Sequence, residues 1–198
     1  MFTSYLNRFA REEDGGIALE TALIFPLLCF AYLATFVYFH AFHAQNTTLK
    51  AAYTISDQIS RETGYLTPDY LEGLYRLHEV LTTSNEPTVL RVSIVEYDAE
   101  EEEYLVRWSK QIEGGRIYEG SSYVLTNTNI SQVDDQLPVM PENEVVIVVQ
   151  NWLVHEPAFS VGLEAFTFEN LVVTRPRFNS AQVCWNSEEN GNSSTATC

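Results

Sequence analysis

A single carboxylate, Glu20, stands at the mouth of a long apolar run, just behind two glycines, in Asp14-Gly15-Gly16-Ile17-Ala18-Leu19-Glu20. An isolated charge in a bilayer costs about 2.5–3.5 kcal/mol at the helix centre and less toward the interface. Glu20 therefore either meets a partner that neutralises it or snorkels to the headgroups at a helix start, where the helix dipole also favours it. Geometry alone leaves both readings open.

Other reactive side chains are sparser. His40 and His43 share a helical face three residues apart, but two imidazoles are too few to close a metal site. Glu100 to Glu103 form an acidic run that could attract calcium, yet calcium loops need glycine-turned, mixed oxygen ligands, and a solvated hairpin tip explains the run better. Arg175 and Arg177 flank Pro176 ahead of Phe178; such guanidinium groups hold carboxylates bidentately or tie the strand to this acidic chain's own surface. Cys184 and Cys198 lie outside the apolar run and, in an oxidising compartment, are placed to close a loop. Cys29 sits deep in the run as a small hydrophobe. The pairs His78-Glu79 and His155-Glu156 lack the second histidine of a zinc-protease helix, and no phosphate-cradling Gly-Lys loop or Gly-x-Ser-x-Gly elbow occurs. Nothing points to catalysis or to a cofactor.

The elements that position these groups follow from periodicity. Thr21 to Phe39 are nineteen residues without a charge, and a helix rising about 1.5 Å per residue would carry them across roughly 30 Å of hydrocarbon. The run exceeds the apolar core of a removable secretory signal, so it is expected to stay attached. Pro26 removes one backbone hydrogen bond and is tolerated in a bilayer helix. Leu49, Ala52, Tyr53, Ser56 and Ile59 recur at three and four, which predicts that the helix continues as an amphipathic stalk, ending at Gly64. Thr67-Pro68-Asp69 signals a second helix with an apolar face of Leu71, Leu74, Tyr75, His78 and Leu81; His78 reads as a packing residue.

At residues 15–28 the pattern resembles a known family. Glycine, four residues, then glutamate before a hydrophobic helix is similar to the class III signal of type IV pilins. Thr21-Ala22-Leu23-Ile24-Phe25-Pro26-Leu27-Leu28 most resembles the TadE-like minor pilins of the tight-adherence (Flp) pilus. Arg175-Pro176-Arg177-Phe178 is similar to a string in the same chains. The resemblance implies that a membrane prepilin peptidase cuts between Gly15 and Gly16, that Glu20 becomes the fifth mature residue, and that it pairs with the free amino group of an adjacent subunit. Glycine at the cut resists helix by about 1 kcal/mol relative to alanine, which suits an extended scissile backbone.

The resulting expectation is a leader at 1–15 on the cytoplasmic side, a transmembrane helix at 16–44, a periplasmic pilin-like domain at 45–183 and a polar, mobile tail at 184–198. Arg8 and Arg11 before the helix favour a cytoplasmic amino terminus, and the resemblance places the helix in the bacterial inner membrane. The expected partners are that membrane, the peptidase, other pilins and the pilus assembly platform. Nucleic acid is excluded by charge, since residues 45–198 carry nine Lys and Arg against 23 Asp and Glu, a balance of −14.

The domain reads as α+β. Val89–Tyr97 and Tyr104–Ser109 flank the glutamate run as a hairpin. Glu144–Val154, apolar on both parities, is the central strand, and Phe166–Thr174 pairs with it antiparallel. Four strands with helices on one face are expected, with 113–143 irregular apart from a short helix at 128–136 capped by Thr128 or Asn129. Two function classes remain: a minor pilin or pseudopilin processed after Gly15, or an uncleaved single-pass anchor whose domain binds a ligand or supports a secretion complex. Cleavage separates them.

Overall fold

The computed structural model describes residues 16–82, 88–141, 144–159, 162–178, 183–188 and 193–198. The expected leader, with Gly15, lies outside the described residues. Helix α1 (Gly16–Ser60) contains Pro26, and α2 spans Pro68–Thr82. The chain divides into two units, one running up to Phe42 and including Pro157–Glu164, the other made of His43–Glu156 and Ala165–Cys198.

The second unit is α+β. Its five-stranded antiparallel sheet has the order β3-β2-β1-β4-β5, with β1 Thr88–Asp98, β2 Glu103–Glu113, β3 Arg116–Tyr118, β4 Val145–His155 and β5 Phe166–Thr174. Strand alternation sorts the side chains between two faces. Leu90, Val92 and Ile94 of β1 share one core with Val145, Ile147 and Val149 of β4 and Val172 of β5. Against that face pack Ala52, Ile55 and Ile59 of α1 and Leu71, Leu74 and Tyr75 of α2. Val95, Val146 and Val148 face the other way. In β2 the faces exchange at a bulge, where Ile94 pairs with Trp108 but Val95 with Val106. The extra residue, Arg107, holds Glu96 at 2.9 Å.

Several expectations need correction. The middle strand is β1, and β4 is its interior neighbour, because β1 pairs with both β2 and β4. Tyr53 is 57% exposed while Ile55 is fully buried, so the stalk's inward stripe runs through Thr48, Ala52, Ile55 and Ile59. α1 ends at Ser60, four residues before Gly64. In α2 the buried position of the last turn is Thr82 in place of Leu81. A fifth strand, β3, forms because Gly114 (φ 56°) and Gly115 (φ 75°) supply the two left-handed residues of a tight hairpin.

Segment 121–140 is a third layer. Leu125, Ile130, Val133, Leu137 and Met140 cover the face of the sheet opposite the helices. The expected helix there is two single 3₁₀ turns, Ile130–Gln132 and Asp134–Gln136. Asn129 does not cap it. Its Oδ1 accepts the Thr126 amide at 2.7 Å and its Nδ2 donates to the Val124 carbonyl at 3.0 Å, pinning the preceding loop instead.

The described carboxyl-terminal residues, 183–188 and 193–198, are built into the second unit. β6 (Trp185–Asn186) pairs with β7 (Ala196–Thr197), and a disulfide joins Cys184 to Cys198. Leu66 donates to the Cys184 carbonyl at 2.9 Å, Asn186 donates to the Leu66 carbonyl at 2.8 Å, and Trp108 Nε1 donates to Val183 at 2.7 Å. Trp185 is 3% exposed within the helix-side core. Polar composition signalled a mobile end, but one tryptophan and two cysteines outweigh it. The bridged residues are 14 apart, and closing a loop of that size stabilises by about 3 kcal/mol in the entropic account. Cys184→Ser should lower the denaturation midpoint of the micelle-solubilised chain accordingly. Reduction of the unsubstituted protein should give the same shift.

Candidate functional site

In the first unit, Gly16–Phe42 present an apolar surface along most of their length. Ile17, Leu19, Leu23, Phe25, Leu27, Leu28, Phe30, Tyr32 and Phe39 are exposed, and so are Glu20 and Cys29. Thr21 and Thr35 turn their hydroxyls back onto the Ile17 and Ala31 carbonyls, each at 2.8 Å. Those hydroxyls are thereby satisfied without water, as a helix in hydrocarbon requires.

Glu20 lies past the first turn of α1, which holds no acidic residue. The cations seen in ion pairs with Asp57, Glu72, Glu96, Glu119 and Glu144 all belong to the second unit. At 100° per residue, Gly16, Ile24, Leu27 and Ala31 share the face of Glu20. That face is a narrow strip with one carboxylate near its end.

Arg175, Pro176, Arg177 and Phe178 sit together at the end of β5, in the second unit. Arg175 pairs with Glu144 at 3.0 Å and Arg177 with Asp57 at 2.8 Å, while Arg61 reaches the other oxygen of Asp57 at 2.9 Å. Each contact is a single N–O pair. The Arg177 amide also donates to the Ser60 carbonyl at 2.8 Å, satisfying one of the orphan acceptors at the end of α1. Pro176 is buried and Phe178 is 70% exposed. The carboxylates these arginines hold belong to the chain itself, and side chains about half exposed make such pairs worth little on their own.

A polar group that sequence reasoning missed lies under the helices. Asn151 on β4 donates from Nδ2 to the Thr48 carbonyl of α1 and toward Nε2 of His78 on α2, each at 2.9 Å, and its Oδ1 accepts Asn170 of β5 at 3.1 Å. With both Nδ2 hydrogens committed, His78 Nε2 must be the acceptor, so the imidazole is neutral with its proton on Nδ1. His78 is fully buried, and burial holds its pKa down to about 4. An unfolded histidine titrates near its ordinary 6.5. Between those values only the unfolded chain takes up the proton. The stabilisation is therefore full above about pH 6.5, is lost as pH falls toward 4, and amounts to roughly 3 kcal/mol. A pH series of denaturation midpoints should show this slope, and His78→Gln should flatten it.

An exposed apolar helix joined to an α+β unit is the build of a single-pass membrane-anchored protein, and α1 is long and apolar enough to cross a bilayer. Residues 15–56 match the family model described as TadE-like protein, and the chain is TadE-like in this segment. The match supports a minor pilin associated with the Tad pilus in general terms. No curated protein and no solved structure matches the chain.

Proposed function

We propose that this chain is a minor pilin or pseudopilin that takes part in assembling a tight-adherence pilus after prepilin peptidase cleaves between Gly15 and Gly16. The amino terminus lies in the cytoplasm, the helix crosses the inner membrane, and the second unit stands in the periplasm or is carried out on the fibre. The single observation that carries this reading is that the family match at residues 15–56 covers an exposed apolar helix whose uncharged run, Thr21–Phe39, begins directly behind one carboxylate, Glu20.

The mechanism is exchange of one apolar environment for another. In the bilayer the helix is solvated by acyl chains, and in a fibre by other helices, so the transfer needs no hydrophobic gain between helices. Cleavage frees an α-amino group at Gly16. Glu20 of one subunit and that ammonium of its neighbour then neutralise each other, where either alone is costly. Cells deleted for the chain should lose surface pili and recover them with a plasmid copy. Unchanged piliation would contradict a role in assembly.

A further inference from the structure

The loop joining β4 to β5 groups with the amino-terminal helix, not with the strands it connects. Pro157–Glu164 falls in the same unit as the helix up to Phe42. The Phe159 ring meets Phe36 edge-on, with centroids 6.4 Å apart at 61°. Gly162, at φ +72°, lies near enough to Tyr38 that a Cβ added there would meet the Tyr38 hydroxyl at 3.8 Å. These contacts set a depth. Phe36 lies three residues before the end of the uncharged run Thr21–Phe39, so only about 4.5 Å of helix separates it from the outer margin of the hydrocarbon. A loop that touches Phe36 shares that level.

The loop's composition suits the place. No ionisable residue occurs between Glu156 and Glu164, both of which are exposed. Pro157, Ala158, Phe159 and Leu163 supply apolar surface, and Phe159 is 49% exposed. Irregular backbone cannot enter the hydrocarbon with its polar groups unpaired. Its level is thus the headgroup boundary, where water remains for the backbone while an aromatic ring finds apolar surroundings.

We infer that this loop, through Pro157, Phe159 and Leu163, is a second membrane contact, which inserts Phe159 into the interfacial layer of the lipid surface beside Phe36 and Tyr38. This rests on the reading of α1 as a membrane-spanning helix. The contact is apolar, since a domain with a balance of −14 is repelled by anionic lipid. It should therefore form on zwitterionic bilayers and persist in high salt.

The test uses the full chain carrying Cys29→Ser, reconstituted in phosphatidylcholine vesicles with one nitroxide label at a time. The positions are Ala158→Cys in the loop, Phe30→Cys in the helix and Glu101→Cys on the β1–β2 turn. Relaxation by oxygen, which dissolves in lipid, is compared with relaxation by a water-soluble nickel complex. The label at 158 should fall between those at 30 and 101, more open to oxygen and less open to nickel than the one at 101, and adding Phe159→Asp should cut the lipid-facing population about tenfold. A label at 158 as open to nickel as the one at 101 would overturn the inference. So would a label shielded from both reagents, which marks another protein chain as the occupant. If the label at 30 also met nickel freely, the inference and the membrane-spanning reading would fall together.

Discussion

Glu20→Ala should leave the chain cut and membrane-inserted but should remove it from fibres. Truncating one partner of a charge pair in a dry bundle leaves the other charge uncompensated, at a cost of about 3–5 kcal/mol. That corresponds to a loss of roughly 100-fold or more in the ratio of fibre-bound to membrane-bound chain. The quantity to measure is that ratio, in sheared fibres against washed membranes, together with the length of the chain in each. Glu20→Gln should behave like Glu20→Ala, because the amide keeps the shape but lacks the charge that meets an ammonium. If either variant enters fibres at the normal level, Glu20 is a snorkelling carboxylate and nothing more. Glu20 is exposed and lies on one strip with Gly16, the residue that would carry the amine, so its carboxylate is open to a neighbouring subunit.

Asn151→Leu should destabilise the second unit more than any change on its surface. Leucine is of similar volume, but it deprives His78 Nε2 and the Asn170 amide of their partner and removes the donor to the Thr48 carbonyl. A buried polar atom left unsatisfied costs about 1–3 kcal/mol, so two of them should cost about 3 kcal/mol and lower the melting temperature by about 10 °C. The acid dependence should persist, because burial holds the His78 pKa down and leucine keeps the site buried. A leucine variant that melts like the parent would show that the two helices and the sheet are held by apolar packing only.

What the sequence disclosed and what it hid follow from one distinction. Groups that act through local pattern were legible. The uncharged run, the Thr67-Pro68 start of α2, where the Tyr70 amide donates to Thr67 Oγ1 at 3.3 Å, and the branched and aromatic runs of β1, β4 and β5 all declare themselves within a few residues. So does the TadE-like segment, which the family match at residues 15–56 bears out. The α+β class follows from these elements, and the structure has it.

Groups that act through distance were not legible. Asn151 lies 103 residues from Thr48 and 73 from His78, so no window along the chain joins them. The third layer at 121–140 carries apolar residues at 130, 133, 137 and 140, a spacing that reads as one helix. Asn129 instead fixes the loop before it, and the segment turns as two 3₁₀ pieces. The three-and-four spacing puts Tyr53 in the stalk stripe and passes over Ile55, two residues further on. Packing chose Ile55, whose branched side chain fits between α1 and the sheet, and left Tyr53 outside. Phe159 gave no signal at all, since a lone aromatic in a loop acquires meaning only from the helix it touches.

Cleavage after Gly15 is tested most directly by the intact mass and first residue of the chain isolated from cells that assemble these pili. A molecule beginning at Gly16, fifteen residues shorter than the translated sequence, is what a peptidase-trimmed fibre subunit requires. A molecule that still carries residues 1–15 would contradict it and leave an uncut membrane anchor in its place.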